Sequence, residues 1–306
     1  MGDLKIVFTF PGQGAQIPGM LQDVPHYVQK AERIIGVSIL DDEKAFHSTL
    51  WIQLALFLKG VAVAERLIEK NVYPQFVAGH SIGAFAAAVI SGVLTFEDAL
   101  KIVWHRAKRM DEAYPEGYGM GAICGLTERE VKKAVDLAFN VQFPVHLSNI
   151  NAEQQIAVSG SWQGIEKTFQ FAQQFGARKT TILQVPIPSH SPLMAELSEE
   201  LLDLIRKVPI NDANIPYLAN RTGRMLRDKN KISEDLALNV AYPVRWNDMT
   251  EVCVESGADC FIEMPPGHVL SNLVKQAHKT TRQIVVDEVG LEATQYLIKK
   301  WKEQDE

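Results

Sequence analysis

The chain has 306 residues, 46% hydrophobic and 22% charged, which is ordinary globular composition with ample material for a core. Its net charge of −6 lacks the basic footprint of a nucleic-acid binder, so no nucleic-acid partner is expected. The three cysteines, Cys124, Cys253 and Cys260, form no C-x-x-C pair, which argues against a disulfide framework or a structural zinc site, and no metal is expected.

The opening MGDLKIVFTFPGQG has too short an apolar run for a secretory signal. The longest apolar stretches, near 52–64 and 84–95, are broken by Gln53, Lys59, Gly60 and Gly92. They fall short of the roughly 20 residues a bilayer requires, so the expectation is a cytoplasmic protein with no membrane partner.

Residues 5–10 read as a buried strand ended by Pro11. Residues 50–70, rich in Leu and Ala, suit a buried helix. A short apolar run at 75–78 leads into Gly79-His80-Ser81-Ile82-Gly83 and an Ala-rich helix over 84–90. Residues 95–114 have helical periodicity, with acids near the start where a helix N-terminus favours them. Then the rhythm changes: strand 120–125, helix 127–139 with Thr127 and Glu130 spaced as a capping box, strands 145–148 and 155–159, helix 161–175 stopped by Gly176, and strand 179–185. That order, βαββαβ, is a ferredoxin-like unit.

Beyond it, helices at 195–207, 234–240 and 247–256 alternate with strands at 260–263 and 283–286. The stretch 220–233 reads as a polar surface loop, 291–301 as a helix, and the last five residues, KEQDE, as a frayed tail. Alternation of this kind predicts a mostly parallel sheet covered on both faces. The expected fold class is α/β: a large α/β-hydrolase-like domain, 1–117 and 189–306, with an inserted small ferredoxin-like subdomain, 118–188.

Gly79-His80-Ser81-Ile82-Gly83 follows a strand and opens a helix, the context in which G-x-S-x-G marks a nucleophile elbow. Such a serine needs a base. His80 stands in the elbow and reads as structural. His190 sits in Pro186-Ile187-Pro188-Ser189-His190-Ser191, where two prolines fix the backbone; on its own it is only one of eight histidines. His268 is a rival, because Ser81, then Asp259 or Glu263, then His268 follows the chain order of an α/β-hydrolase triad. Phe10-Pro11-Gly12-Gln13-Gly14-Ala15-Gln16 fails both the dinucleotide fingerprint and the phosphate loop. It is either a plain turn or a source of a backbone N–H for an oxyanion, where one donor is worth roughly 3–4 kcal/mol.

FPGQGAQ, GHSIG and Pro-Ser-His together, in this order and spacing, resemble the malonyl-CoA:acyl-carrier-protein transacylases over nearly the whole chain. The resemblance implies malonyl transfer from malonyl-CoA to the pantetheine thiol of an acyl carrier protein, through a malonyl-serine ester and with no cofactor. It implies Ser81 as nucleophile, His190 as base, and the amides of Gln13 and Ile82 as oxyanion hole. Arg106, in Arg-Ala-Lys-Arg-Met, falls on the family arginine that pairs with the malonyl carboxylate, a task suited to a planar guanidinium. Without the resemblance Arg106 would be a solvated helix residue. The resemblance also implies that Asn239 orients the base through its carbonyl, that Asn149 and Asn151 line the thioester entrance, and that Gln53 stands near the acyl cavity. As bare sequence, the two asparagines are simply turn formers.

Several stretches depart from the common pattern: YPEGYGM from Tyr114, NRTGR from Asn220, PVRW from Pro243 and EMPPGHVL from Glu263. They resemble the malonate decarboxylase branch, its epsilon subunit. An acidic carrier would be met by cations near the cleft, with Lys108, Arg109, Arg178, Lys179, Arg221 and Arg224 as candidates. Two other classes stay open: a serine thioesterase or esterase using His268, and a non-catalytic docking subunit.

Overall fold

The computed structural model describes residues 4–114 and 116–305. Met1, Gly2, Asp3, Pro115 and Glu306, which the N-terminal, YPEGYGM and tail readings include, lie outside them.

In chain order the main elements are β1 (Ile6–Phe10), α1 (Pro25–Ile35), α2 (Thr49–Glu69), β2 (Phe76–Gly79), α3 (Gly83–Ile90), α4 (Phe96–Ala113), β3 (Tyr118–Cys124), α5 (Glu128–Ala138), β4 (Val145–Ala152), β5 (Gln155–Ser161), α6 (Trp162–Gln174) and β6 (Lys179–Leu183). They continue with α7 (Ala195–Ile205), β7 (Tyr217–Leu218), β8 (Met225–Leu226), α8 (Lys229–Leu238), α9 (Trp246–Glu255), β9 (Cys260–Glu263), α10 (Val269–Ala277), β10 (Arg282–Val285) and α11 (Val286–Asp305).

β1 lies inside a six-stranded sheet of order β10-β9-β1-β2-β7-β8, parallel except for the β7–β8 hairpin. Its side chains alternate between two cores, as the period of two requires. Ile6, Phe8 and Phe10 join the larger core with α2, α3 and α4, while Val7 joins Trp246, Met249 and Leu270 of α9 and α10 on the other face. Burial on both faces explains why this strand is a continuous apolar run rather than an alternating one. α2 is buried over most of its surface, and Asp111 of α4 accepts the Thr49 amide at its first turn (2.8 Å).

The second sheet is antiparallel, of order β4-β5-β3-β6, with α5 and α6 packed through Val131, Ala134 and Ile165 onto Ile123 and Val158. Both halves of the Thr127–Glu130 capping box form. The two sheets are joined where Val244 pairs with β4: Val244 N donates to Ser148 O (2.9 Å) and Ile150 N to Val244 O (2.8 Å). Arg245 adds two N–H donors to the Glu128 carboxylate at 3.2 Å each.

Four expectations need correction. β4 runs on to Ala152, so Asn149 and Asn151 stand in a bulged strand and not in a turn. The 220–233 stretch is not a surface loop: it contains β8 and the first turn of α8, and Asn220, Ile232 and Ser233 are buried. The helix expected from 234 therefore begins at Lys229, capped by the Asp228 side chain on Lys231 N (2.9 Å). The tail does not fray at 302, because α11 continues through Asp305. Helices α1 and α10 were not anticipated; both are short and carry only a narrow apolar stripe. Among the described residues no helix is long and apolar enough to cross a membrane.

Candidate active site

The turn between β2 and α3 is shaped by close backbone approach. A Cβ on Gly79 would come within 2.1 Å of the Gly83 carbonyl carbon, and one on Gly83 within 2.2 Å of Phe10 O, so only glycine fits at either position. Between them Ser81 has φ +54°, a left-handed conformation unusual for a residue with a side chain. The turn presents the serine beside β1 and FPGQGAQ, at the carboxyl end of the parallel strands, where open α/β sheets bind ligands.

His190 reaches this serine from 109 positions away: its Nε2 lies 2.7 Å from Ser81 Oγ. Its Nδ1 lies 2.6 Å from Asn239 O. A carbonyl only accepts, so Nδ1 carries the proton and Nε2 is the lone-pair nitrogen facing the serine hydroxyl. The backbone at His190 is also left-handed (φ +60°), and its N–H donates to Val240 O (2.7 Å). The imidazole is buried, and burial, reinforced by the positive Arg106, pushes its pKa down to about 3. It is neutral at physiological pH and ready to accept a proton.

Arg106, fully buried in α4, donates through Nη2 to Ser81 Oγ (3.2 Å) and through Nη1 to Gln53 Oε1. Gln53 is itself fixed by its Nε2 against the Met110 sulfur (3.3 Å). Among the described residues Arg106 has no carboxylate partner, and its Nε has no hydrogen-bond acceptor. Burial alone lowers its pKa to about 9. A buried cation left without a counter-ion favours an anionic ligand.

Gln13, Gln53, Ser81, Ile82, Asn149 and His190 share the lining of one cavity of about 60 Å³. That volume holds a few water-sized groups and no long chain. Within the protein, the amides of Gln13 and Ile82 have no partner among the described residues, whereas those of His80, Ser81 and Gly83 are taken by Phe10 O, Asn220 Oδ1 and His80 O. Asn151 does not line the cavity; its Oδ1 holds His80 Nε2 at 3.1 Å, and burial lowers the pKa of His80. Asn239 contributes its carbonyl, and its buried side-chain amide has no partner among the described residues.

The rival triad does not assemble. His268 is exposed and pairs with Glu288 (3.1 Å), Glu263 accepts the Leu270 and Ser271 amides at the start of α10, and Asp259 accepts the Lys5 amide. Of the six candidate cations, Arg109 is taken by Glu200 and Arg221 by Glu234, while Lys108, Arg178, Lys179 and Arg224 are exposed without an ion pair among the described residues. Among those residues no group of three or more His, Cys, Asp or Glu is placed to hold a metal ion.

Sequence reasoning missed Asn220, whose Oδ1 accepts the Ser81 amide (2.9 Å) and whose Nδ2 donates to Gly79 O (2.8 Å). The available signal was its place at the carboxyl end of the apolar run 217–219, the sheet edge at which such sites are built.

Comparisons with known proteins find similarity along nearly the whole chain. Residues 7–291 match the family model described as an acyl transferase domain. The malonyl CoA-acyl carrier protein transacylase of Bacillus subtilis (strain 168) is 33% identical over 315 residues, covering 99% of each chain. The solved malonyl CoA-acyl carrier protein transacylase of Coxiella burnetii superposes with a TM-score of 0.91 at 29% identity, covering 97% of this chain and 98% of that one. A malonyl-transacylase solved in complex with its type II PKS acyl-carrier protein gives 0.90 at 28% identity, covering 96% and 99%.

Proposed function

Because this chain belongs to the acyl transferase family, we propose that it moves a malonyl group from malonyl-CoA to the pantetheine thiol of an acyl carrier protein, by way of an ester on Ser81. The observation that carries this reading is one hydroxyl, Ser81 Oγ, within hydrogen-bond reach of both a neutral buried imidazole and a buried guanidinium that has no carboxylate partner among the described residues.

In the proposed reaction the malonyl carboxylate pairs with Arg106, which Gln53 keeps in orientation. Ser81 Oγ attacks the thioester carbonyl while its proton passes to His190 Nε2; the Nδ1–H bond to Asn239 O stabilises the resulting imidazolium. The carbonyl oxygen takes up negative charge against the unpaired Gln13 and Ile82 amides. Collapse breaks the C–S bond, and the CoA sulfur leaves with the proton from Nε2. The carrier thiol then gives its proton to His190 and attacks the ester carbonyl; collapse breaks the C–Oγ bond, and Ser81 Oγ takes the proton back from Nε2, restoring the hydroxyl and the neutral imidazole. No step needs a metal or redox cofactor.

Asn149 belongs to the cavity wall, whereas Asn151 stands outside that lining with its Oδ1 on His80 Nε2, so its place at the thioester entrance rests on the resemblance. The division at 118 and 188 belongs to the same proposal, with the small antiparallel unit forming one wall of the cleft, as does a cytoplasmic setting. The malonate decarboxylase branch rests on the sequence motifs alone; the relatives compared above carry the transacylase name.

The direct test is intact-protein mass after mixing with malonyl-CoA. The wild type should gain one malonyl group and Ser81→Ala none. CoA release without an adduct would instead indicate a hydrolase.

A further inference from the structure

The described residues include three non-glycine positions with positive φ, and two of them are Ser81 and His190. Such conformations persist only where the surroundings hold them, and both are held from the same helix. Ser81 is held by Asn220, which bridges the Ser81 amide and the Gly79 carbonyl. Asn220 is in turn held by Asp235 of α8: the Asn220 amide donates to Oδ2 (2.9 Å), the Arg221 amide to Oδ1 (2.9 Å) and the Tyr217 hydroxyl to Oδ2 (2.9 Å). Both Asn220 and Asp235 are buried. On the other side, the backbone carbonyl of Asp235 accepts the amide of Asn239, one helical turn on, where α8 ends. Asn239 and Val240 then supply the two carbonyls that hold His190.

We propose that Asp235 and Asn220 are positioning residues, and that α8 is the common frame that sets the Ser81–His190 alignment for the transfer. The carboxylate of Asp235 fixes the nucleophile's turn and its main chain fixes the base's carbonyl. By occupying the Ser81 amide, Asn220 also leaves the Ile82 amide as the free donor in the turn. Arg106 and Gln53 stand outside this frame, on α4 and α2. The proposal rests on the reading of Ser81 as nucleophile and His190 as base.

The test is the second-order rate at which a fluorophosphonate labels Ser81, followed by intact mass, with thermal unfolding measured on the same samples. This reagent needs the serine–imidazole alignment but neither Arg106 nor a malonyl group. Asp235→Asn and Asn220→Ala should slow labelling roughly 10- to 100-fold, the scale of a small misplacement of reacting groups. Lys231→Ala, on the exposed side of α8, should label at the wild-type rate. With malonyl-CoA the same two variants should lose kcat and keep KM, which a merely loosened fold would not do. Labelling at the wild-type rate in either folded variant overturns the proposal. If both fail to fold, Tyr217→Phe decides: it removes one donor to Asp235 and no charge, and an unchanged rate overturns the proposal. A wild-type Ser81 that does not label overturns the nucleophile reading and this proposal with it. Slow labelling in variants of a protein that takes no malonyl supports the alignment and overturns the substrate alone.

Discussion

Ser81 and His190 are brought together by main-chain carbonyls and one side-chain amide, whereas Arg106 and Gln53 meet through side chains alone, buried between α4 and α2. The first pair is a geometry held by hydrogen bonds and left-handed backbone; the second is a charge held by burial. A reaction with both has its rate set mainly in one half and its choice of acyl group in the other. The halves are linked by the field of Arg106, which lies against the serine and helps depress the basicity of His190. In the proposed reaction a malonyl carboxylate paired with Arg106 would offset that field and make the imidazole a stronger base, whereas an acyl group without a carboxylate would leave it weak.

The largest effect should come from the first half. His190→Ala should lower the single-turnover rate of Ser81 acylation by roughly 10⁴-fold or more, as in other serine–histidine sites, with malonyl-CoA binding preserved. Quench-flow with mass detection measures the rate; a loss of tenfold or less would mean another group serves as base.

The second half should give a smaller and selective loss. Arg106→Ala removes one partner of a buried, charge-assisted contact, a change of about 2–5 kcal/mol, so malonyl transfer should fall roughly 30- to 5,000-fold. Acetyl transfer should be kept or should rise, because His190 no longer faces a positive neighbour. The ratio of kcat/KM for the two acyl-CoAs is the measurement. Equal losses for both would end the division of labour between the halves.

What the sequence reveals of the two halves differs for physical reasons. The elbow is legible because its constraint is local: Gly79 and Gly83 approach each other and Phe10 so closely that no other residue fits. The parallel sheet is legible because strands buried on both faces leave apolar runs. Arg106 reads on its own as a solvated helix residue and is marked only by the resemblance, although it shares a face of α4 with the buried Ala99, Val103 and Met110. His190 is not legible from pattern at all, since its role depends on carbonyls some fifty positions later, and only the family resemblance marks it. The reading of 220–233 as a surface loop failed at Asn220 because polar residues suggest solvent, while this buried side chain is paired with Ser81 and Gly79 and its amide with Asp235. His268 shows the limit of chain order: its place in the sequence suits a triad, which kept it as a rival to His190, but its ring faces Glu288.

The smallest effect tests whether His190 is held neutral. Its folded-state pKa, about 3, lies below the ordinary value of 6.5, so between those values the unfolded chain binds the proton that the folded chain refuses. The stability tied to this group is therefore complete above pH 6.5 and is lost as pH falls toward 3, at up to ~1.4 kcal/mol per pH unit. His80, His146 and His278 are shifted the same way and add to the wild-type slope, so the comparison must be with His190→Gln. Unfolding free energy measured at pH 7.5 and 5.5 should fall more for the wild type than for that variant. The acylation rate should show no inflection near 6.5, because the base has no proton to lose there. Equal slopes in the two proteins would mean that the imidazole titrates normally, and the base would then be open to solvent rather than sealed beside Arg106.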